Sequence, residues 1–313
     1  DVCSSDLFPE GTRDVLWISD RDGYPHVYRY DYSGKLLNQV TQGPWVVTRV
    51  EGVDPKAKVI YYTSTEGSVL ERQLWQVKFD GTGKKRLTQA RGNHRVDLSP
   101  TGRFYIDRWS NAQTPLQVEL WSATGKKLAT LEGNTGTTQW LQTHAYAPLE
   151  PFQFTTSDGV QLDGSMIRPP DFDPTKKYPV LISIYGGPGS QQVYDEFETD
   201  GYSQYLAQQG YIVVGLNNRG SGNYGRDFME IVYGRLGEWE SHDFAEAAKY
   251  LGAEAGFHAC ENAVLAHGGM GYAKEYDVER YFREAMIARI APVSREMILN
   301  FIAERVLGLP KSY

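Results

Sequence analysis

The sequence predicts a mixed fold in three parts: a partial β-propeller, the first part of an α/β domain, and an α-helical C-terminal tail. Short strand-like runs punctuated by turn residues recur over residues 8–148 in groups of about 40 to 50 residues. Two nearly continuous apolar runs, 179–185 and 211–216, flank a helix-like stretch within residues 149–255. From 256 to 313 apolar residues recur at helical spacing, and no strand-like run appears after Leu251.

In the first part, runs at 15–19, 26–30 and 36–40 are separated by Asp20-Arg21-Asp22-Gly23 and Tyr32-Ser33-Gly34, which is turn chemistry. The grouping returns at 59–63, 73–79 and 85–88, with Asp80-Gly81-Thr82-Gly83 as a turn. It returns again at 103–109, 117–121 and 127–131, preceded by Ser99-Pro100-Thr101-Gly102 and broken by Ala123-Thr124-Gly125. Repetition at this period points to propeller blades, while a β-sandwich of similar strand spacing stays open on these residues alone. The 21 tyrosines and 7 tryptophans favour such β-rich structure, because flat rings pack well on pleated surfaces.

The pattern then changes. Phe154-Thr155-Thr156-Ser157-Asp158-Gly159-Val160 marks a hairpin entering the second part. Runs 179–185 and 211–216 read as strands buried on both faces of a sheet. Between them, 202–209 reads as a helix ending at Gly210, a residue suited to the left-handed cap, and 243–251 reads as another helix. Alternating β and α elements imply a mostly parallel sheet. In the tail, Val278, Tyr281, Phe282, Ala285 and Met286 share a helical face that ends at Pro292. Ser294 is placed to cap a further helix whose stripe is Met297, Ile298, Phe301, Ile302 and Leu307.

Composition excludes some functions. A net charge of −7 argues against general nucleic-acid binding, which needs a basic face. No run of about 18 apolar residues is present, so no helix is expected to span a membrane. The opening Asp1-Val2-Cys3-Ser4-Ser5-Asp6-Leu7 has neither the basic start nor the apolar stretch of a signal peptide. It resembles the translation of a sequencing-adapter end, and residues 1–7 are set aside from fold reasoning as an artefactual leader. No compartment or oligomeric state follows from the sequence.

Chemistry concentrates after the apolar runs. Ile184-Tyr185-Gly186-Gly187-Pro188-Gly189-Ser190 leaves the first of them. So glycine-rich a turn lets backbone amides approach a reacting carbonyl, and a tyrosine hydroxyl beside it can donate to an oxyanion. Alone, the motif reads as a plain strand-to-loop exit. It is followed by Asn217-Asn218-Arg219-Gly220-Ser221-Gly222 and by Gly234-Arg235-Leu236-Gly237-Glu238-Trp239-Glu240-Ser241-His242-Asp243.

These stretches, in this order behind blade-like repeats, resemble the dipeptidyl peptidase IV branch of the prolyl oligopeptidase family. Trp17-Ile18-Ser19-Asp20-Arg21-Asp22-Gly23 and Tyr30-Asp31-Tyr32-Ser33-Gly34-Lys35 are similar to that branch's late propeller. The resemblance covers about 240 of 313 residues. It implies a propeller capping an α/β-hydrolase domain, a serine peptidase activity often directed after proline, and a peptide substrate. For Tyr185 it implies the role of oxyanion-stabilising hydroxyl.

Such a hydrolase needs its nucleophile in Gly-x-Ser-x-Gly. No serine of this sequence has glycine at both −2 and +2; Ser221 has Arg219 two residues before it and Ser190 has Pro188. His258 and His267 stand outside any matching context, and the family's paired glutamates that hold a substrate amino terminus are not visible. The expectation is a catalytically incompetent piece of a serine peptidase, because an oxyanion donor alone sustains no acyl transfer. A propeller serving as a binding module in a fused protein is one alternative; a C-terminal fragment of a second, FAD-dependent enzyme family behind an unrelated front end is the other, on the residues of the tail.

The tail carries a second resemblance. Ala266-His267-Gly268-Gly269-Met270-Gly271-Tyr272-Ala273-Lys274-Glu275-Tyr276, Arg289-Ile290-Ala291-Pro292-Val293-Ser294 and the terminal Gly308-Leu309-Pro310-Lys311-Ser312-Tyr313 resemble the C-terminus of acyl-CoA dehydrogenases. That implies flavin contacts for Gly268 and Gly269 in an intact dehydrogenase. In so short a tail a helix-connecting turn is expected instead, with no FAD and no metal bound. An in-frame join is expected within 246–256, which gives domains 8–148, 149–255 and 256–313.

Overall fold

The computed structural model describes residues 6–266 together with 273, 279–280 and 282–283. Its N-terminal half is three four-stranded antiparallel meanders in series. The first comprises β1 (Asp6–Leu7), β2 (Asp14–Ser19), β3 (His26–Asp31) and β4 (Leu36–Gln39). The second comprises β5 (Val47–Asp54), β6 (Val59–Ser64), β7 (Gln73–Lys78) and β8 (Lys85–Arg86). The third comprises β9 (Asn93–Leu98), β10 (Phe104–Asn111), β11 (Thr114–Ser122) and β12 (Lys127–Glu132).

Turn chemistry closes these meanders as the sequence indicates. The Asp31 carboxylate accepts the Ser33 and Lys35 amides at 2.9 and 3.1 Å, and Gly34 supplies the positive φ of 83°. Asp80 does the same after β7, accepting the Thr82 amide at 2.9 Å.

The packing decides between propeller and sandwich. Leu16, Val27 and Val40 of the first sheet pack on Trp45, Val47, Ile60, Tyr62, Val77 and Phe79. The opposite face of the second sheet, with Tyr61, Leu74 and Leu87, packs on Val96 and Tyr105 of the third. Three sheets stacked in series are propeller-like blades, whereas a sandwich buries one face-to-face core. Each fully buried side chain of this size contributes about 1.5–3 kcal/mol.

Three strands were not foreseen. β5 and β9 are too polar to stand out; β9 buries Asn93 through hydrogen bonds to the Leu70 and Asp195 carbonyls rather than through apolar contact. Residues 6 and 7, set aside on sequence, form β1. They pair with Trp17 and Leu16, and Leu7 packs on the first core. Ladder pairing is made by the backbone, so this strand needs no side-chain pattern.

A short helix, α1 (Thr135–Thr143), leads to the fourth sheet. β13 (Leu149–Thr155) and β14 (Gln161–Ile167) form the entrance hairpin, and β15 (Val180–Ser183), α2 (Gly201–Gln208) and β16 (Ile212–Asn217) form a β-α-β unit. Strand order is β13-β14-β16-β15, with β15 and β16 parallel and the other two pairings antiparallel. The expected mostly parallel sheet is thus corrected: the hairpin joins the sheet instead of preceding it. α2 starts on Asp200, whose carboxylate accepts the Tyr202 and Ser203 amides at 3.1 and 3.0 Å. It ends before Gly210, at φ 85°.

Burial of the two apolar runs divides sharply. β16 lies between β14 and β15 and is covered on one face by Leu206 and Ala207, and on the other by Phe244 and Ala247 of α4 (Glu238–Ala266). This strand is buried on both faces, as its apolar run suggests. β15 does not bury both faces as its sequence suggests. It is the sheet edge, and Val180, Leu181 and Ile184 are 46%, 37% and 63% exposed. α3 (Arg226–Glu230) precedes α4, which runs without a break through 255 and 256, where the sequence suggests a boundary. The Ser294 cap and the stripe from Met297 to Leu307 lie outside the described residues. Among the described residues no helix is long and apolar enough to cross a membrane.

Candidate functional site

The loop Tyr185 to Ser190 leaves the carboxyl end of β15, the end of a parallel strand where ligand sites gather. Tyr185 is 66% exposed, and its ring folds back over its own loop. A Cβ on Gly187 would stand 2.6 Å from that ring, so the fold-back requires glycine. The loop rests on the one that follows β16. The Gly189 amide donates to the Gly220 carbonyl at 2.8 Å, and the Gly222 amide to the Ser190 carbonyl at 3.4 Å. A Cβ on Gly222 would lie 2.4 Å from the Gly189 oxygen, which explains the absence of a side chain there.

The second loop is held in turn by the third motif. Arg219 has a side chain only 4% exposed, and Asp243 beneath it is fully buried. The Asp243 carboxylate accepts the Arg219 amide at 2.7 Å, Nη2 at 2.6 Å and Nε at 3.0 Å. The guanidinium also reaches Asp158 at 2.5 Å, meets His242 Nδ1 at 2.9 Å and lies 4.1 Å from the Trp239 ring centroid. Partial burial works against the charge on Asp158, but the Arg219 guanidinium and the Thr156 hydroxyl prevail and hold its carboxyl down at about 2. Glu240 completes the junction: it accepts the Gly237 amide at 2.9 Å, and its side chain lies where a Cβ on Gly186 would touch it. The three motifs that stand apart in sequence are therefore one connected structure.

Two further anchors set the position of this junction. Asn217 is fully buried; its oxygen accepts the Gln192 and Val193 amides at 2.9 and 2.8 Å, and its nitrogen donates to the Tyr224 hydroxyl at 2.9 Å. That hydroxyl donates onward to Asp163 at 2.7 Å, and burial beside this carboxylate drives the phenol far above its usual range. Asp195, 2% exposed, fixes the segment to the blades. It accepts Arg91 Nε at 2.5 Å and the Ala112 amide at 3.0 Å, while its own amide donates to the Leu70 carbonyl at 2.9 Å.

Tyr185, the residue singled out on sequence, stands at the mouth of this braced glycine loop. Ser221 is buried at 3% exposure. Gly268, Gly269 and His267 lie outside the described residues. Among the described residues no group of three or more His, Cys, Asp or Glu side chains could hold a metal ion. Asp158, Asp163 and Asp195 were missed. Each is a single acid among turn or strand residues, and only its long-range partners give it importance.

Comparison with known proteins agrees with this order of blades and α/β sheet. Residues 4–116 match the family described as dipeptidyl peptidase IV (DPP IV) N-terminal region, and residues 197–270 match the prolyl oligopeptidase family. A probable dipeptidyl-aminopeptidase B of Botryotinia fuckeliana is 33% identical over 312 residues, covering 96% of this chain and 33% of that protein. Dipeptidyl peptidase 4 of Arthroderma otae is 33% identical over 241 residues, covering 75% and 31%. The crystal structure of Porphyromonas gingivalis dipeptidyl peptidase 4 matches with a TM-score of 0.75 at 32% identity, covering 82% of this chain and 38% of that one. The chain spans about a third of the length of the curated relatives it matches. Blades, α/β sheet and glycine loops, in that order and with these relatives, make this chain a member of the prolyl oligopeptidase family, comprising part of a DPP IV N-terminal region and part of the peptidase domain.

Proposed function

We propose that this chain carries the oxyanion-stabilising loop of a serine peptidase without the nucleophile, and that it hydrolyses no peptide by itself. The supporting observation is the Tyr185 to Ser190 loop, braced through Gly220 to the Arg219–Asp243 pair, in a sequence with no Gly-x-Ser-x-Gly. In an intact peptidase, a serine oxygen attacks the scissile carbonyl while a histidine takes its proton and passes it to the leaving amine. Negative charge then collects on the carbonyl oxygen, where the exposed Tyr185 hydroxyl would donate. Peptides are the substrate class that the names of the relatives support. The test is fluorophosphonate labelling together with turnover of dipeptidyl chromogenic substrates. Neither label nor turnover is expected, and stoichiometric labelling of one serine would overturn the reading.

A flavin role for Gly268 and Gly269 is not favoured, since the peptidase match runs through residue 270. The purified chain is expected to show no flavin absorbance, and a bound flavin would reverse that judgement.

A further inference from the structure

Arg219 shows how this chain compensates a guanidinium drawn out of water: two carboxylates, Asp243 and Asp158, close on it. Arg72 departs from that pattern. It stands immediately before β7, and its backbone is fixed on both sides. The Arg72 amide donates to the Gly92 carbonyl at 3.4 Å, and its carbonyl accepts the His94 amide at 3.0 Å. Its side chain is partly buried and is held by neutral oxygens alone. Nη1 donates to the Val69 and Glu71 carbonyls at 3.0 and 2.7 Å, and Nη2 donates to the Gln191 side-chain oxygen at 2.7 Å. The Tyr194 ring centroid lies 5.3 Å from the guanidinium carbon. Burial pulls the Arg72 pKa below the ordinary arginine range.

A guanidinium has five N–H donors, so Nε and the second hydrogen of Nη2 have no acceptor among the described residues. The acids nearby are engaged elsewhere. Asp107 bonds to His94 Nδ1 at 2.8 Å, Asp195 accepts Arg91 and the Ala112 amide, and Glu196 reaches Arg95 at 3.3 Å. Arg72 lines a cleft of about 380 Å³ together with His94, Arg95, Tyr194, Glu196 and Asn223. That is room for a small ligand. Arg72 and Arg95 against Glu196 give its walls a positive excess. The walls come from the second blade, the third blade and the α/β part, so the cleft exists only while these are docked.

We propose that this cleft binds a carboxylate, which accepts from the open Nε and Nη2 donors of Arg72. A flat, singly charged group matches the planar guanidinium and the modest charge of the walls. A small organic acid and the C-terminus of a peptide both offer that group.

Saturation-transfer NMR titrations of the full chain test this, with trialanine, trialanine amide, acetate and inorganic phosphate as probes. Trialanine is expected to bind, and its amide to bind at least about tenfold more weakly, because the charged acceptor is gone. Acetate binding as tightly as trialanine assigns the site to small acids, and weaker acetate binding assigns it to peptide termini; both outcomes support a carboxylate site. Arg72→Lys keeps the charge but loses the fork, and is expected to weaken trialanine binding about tenfold. Arg95→Gln changes a side chain that is 79% exposed and leaves the contacts of Arg72 in place. It is expected to weaken binding by about two- to fivefold, and it carries the test if Arg72→Lys fails to fold. Absence of binding by both carboxylates overturns the proposal, as does equal binding of trialanine and its amide. Phosphate binding tighter than either carboxylate, or unchanged affinity in the folded variants, overturns it as well.

Discussion

Asp243→Ala tests whether the glycine loops are positioned by one buried ion pair. The substitution removes three acceptor contacts to Arg219, at 2.6 to 3.0 Å, from a site with no access to water. The guanidinium then keeps Asp158, whose side chain is 38% exposed, His242 Nδ1 and the Trp239 ring, none of which supplies a buried carboxylate. Breaking a buried pair from one side costs about 3–5 kcal/mol, because the remaining charge stays buried. At about 1.4 kcal/mol per factor of ten, local opening should rise between roughly one hundred and a few thousand fold. Asp158→Ala removes only a rim partner and should cost about 1 kcal/mol or less. Hydrogen exchange read by mass spectrometry reports both, with residues 217–223 as the probe and 26–31 as the internal control. Asp243→Ala is expected to accelerate exchange in the first segment and leave the second unchanged. Equal effects of the two variants, or acceleration spread evenly over the chain, would refute the reasoning.

Tyr224→Phe takes the hydroxyl donor from the buried Asp163 carboxylate, which keeps Gln153, and one of two acceptors from Asn217 Nδ2, which keeps the Val193 carbonyl. It should destabilise the α/β part by about 1–3 kcal/mol in urea titrations, and a neutral outcome would mean that other groups satisfy both. Gly222→Ala forces a methyl to within 2.4 Å of the Gly189 oxygen. It should cost about 1–3 kcal/mol and raise protease sensitivity around residue 189, whereas Gly159→Ala, which meets no neighbour, should cost only its positive φ. Asp158 has its carboxyl pKa lowered from 3.8 to about 2 on folding, so its contribution is fully present above the unfolded value and is lost as pH falls through about 2. The stability difference between wild type and Asp158→Asn should hold constant above pH about 4 and vanish near pH 2, and a difference that grew on acidification would reverse the assignment.

The blades were legible because their information is local. Turn acids such as Asp31 and Asp80, glycine at φ 83°, and alternating apolar residues determine strands and reversals within a few residues. The three chemical motifs were legible for the same reason, each being a short run of unusual composition. By itself, then, the sequence determined the order of blade, sheet and glycine loop, the place of Tyr185 at a strand exit, and the lack of a nucleophile elbow. What it could not decide was which apolar run would be buried. Residues 179–185 and 211–216 look alike, yet β16 has neighbours on two edges and two faces while β15 has one edge open. Nor could it single out Asp158, Asp163 or Asp195 among 39 acidic residues. A carboxylate matters here only when distant backbone and guanidinium groups are brought to it and water is removed, and that arrangement exists only once the chain has packed.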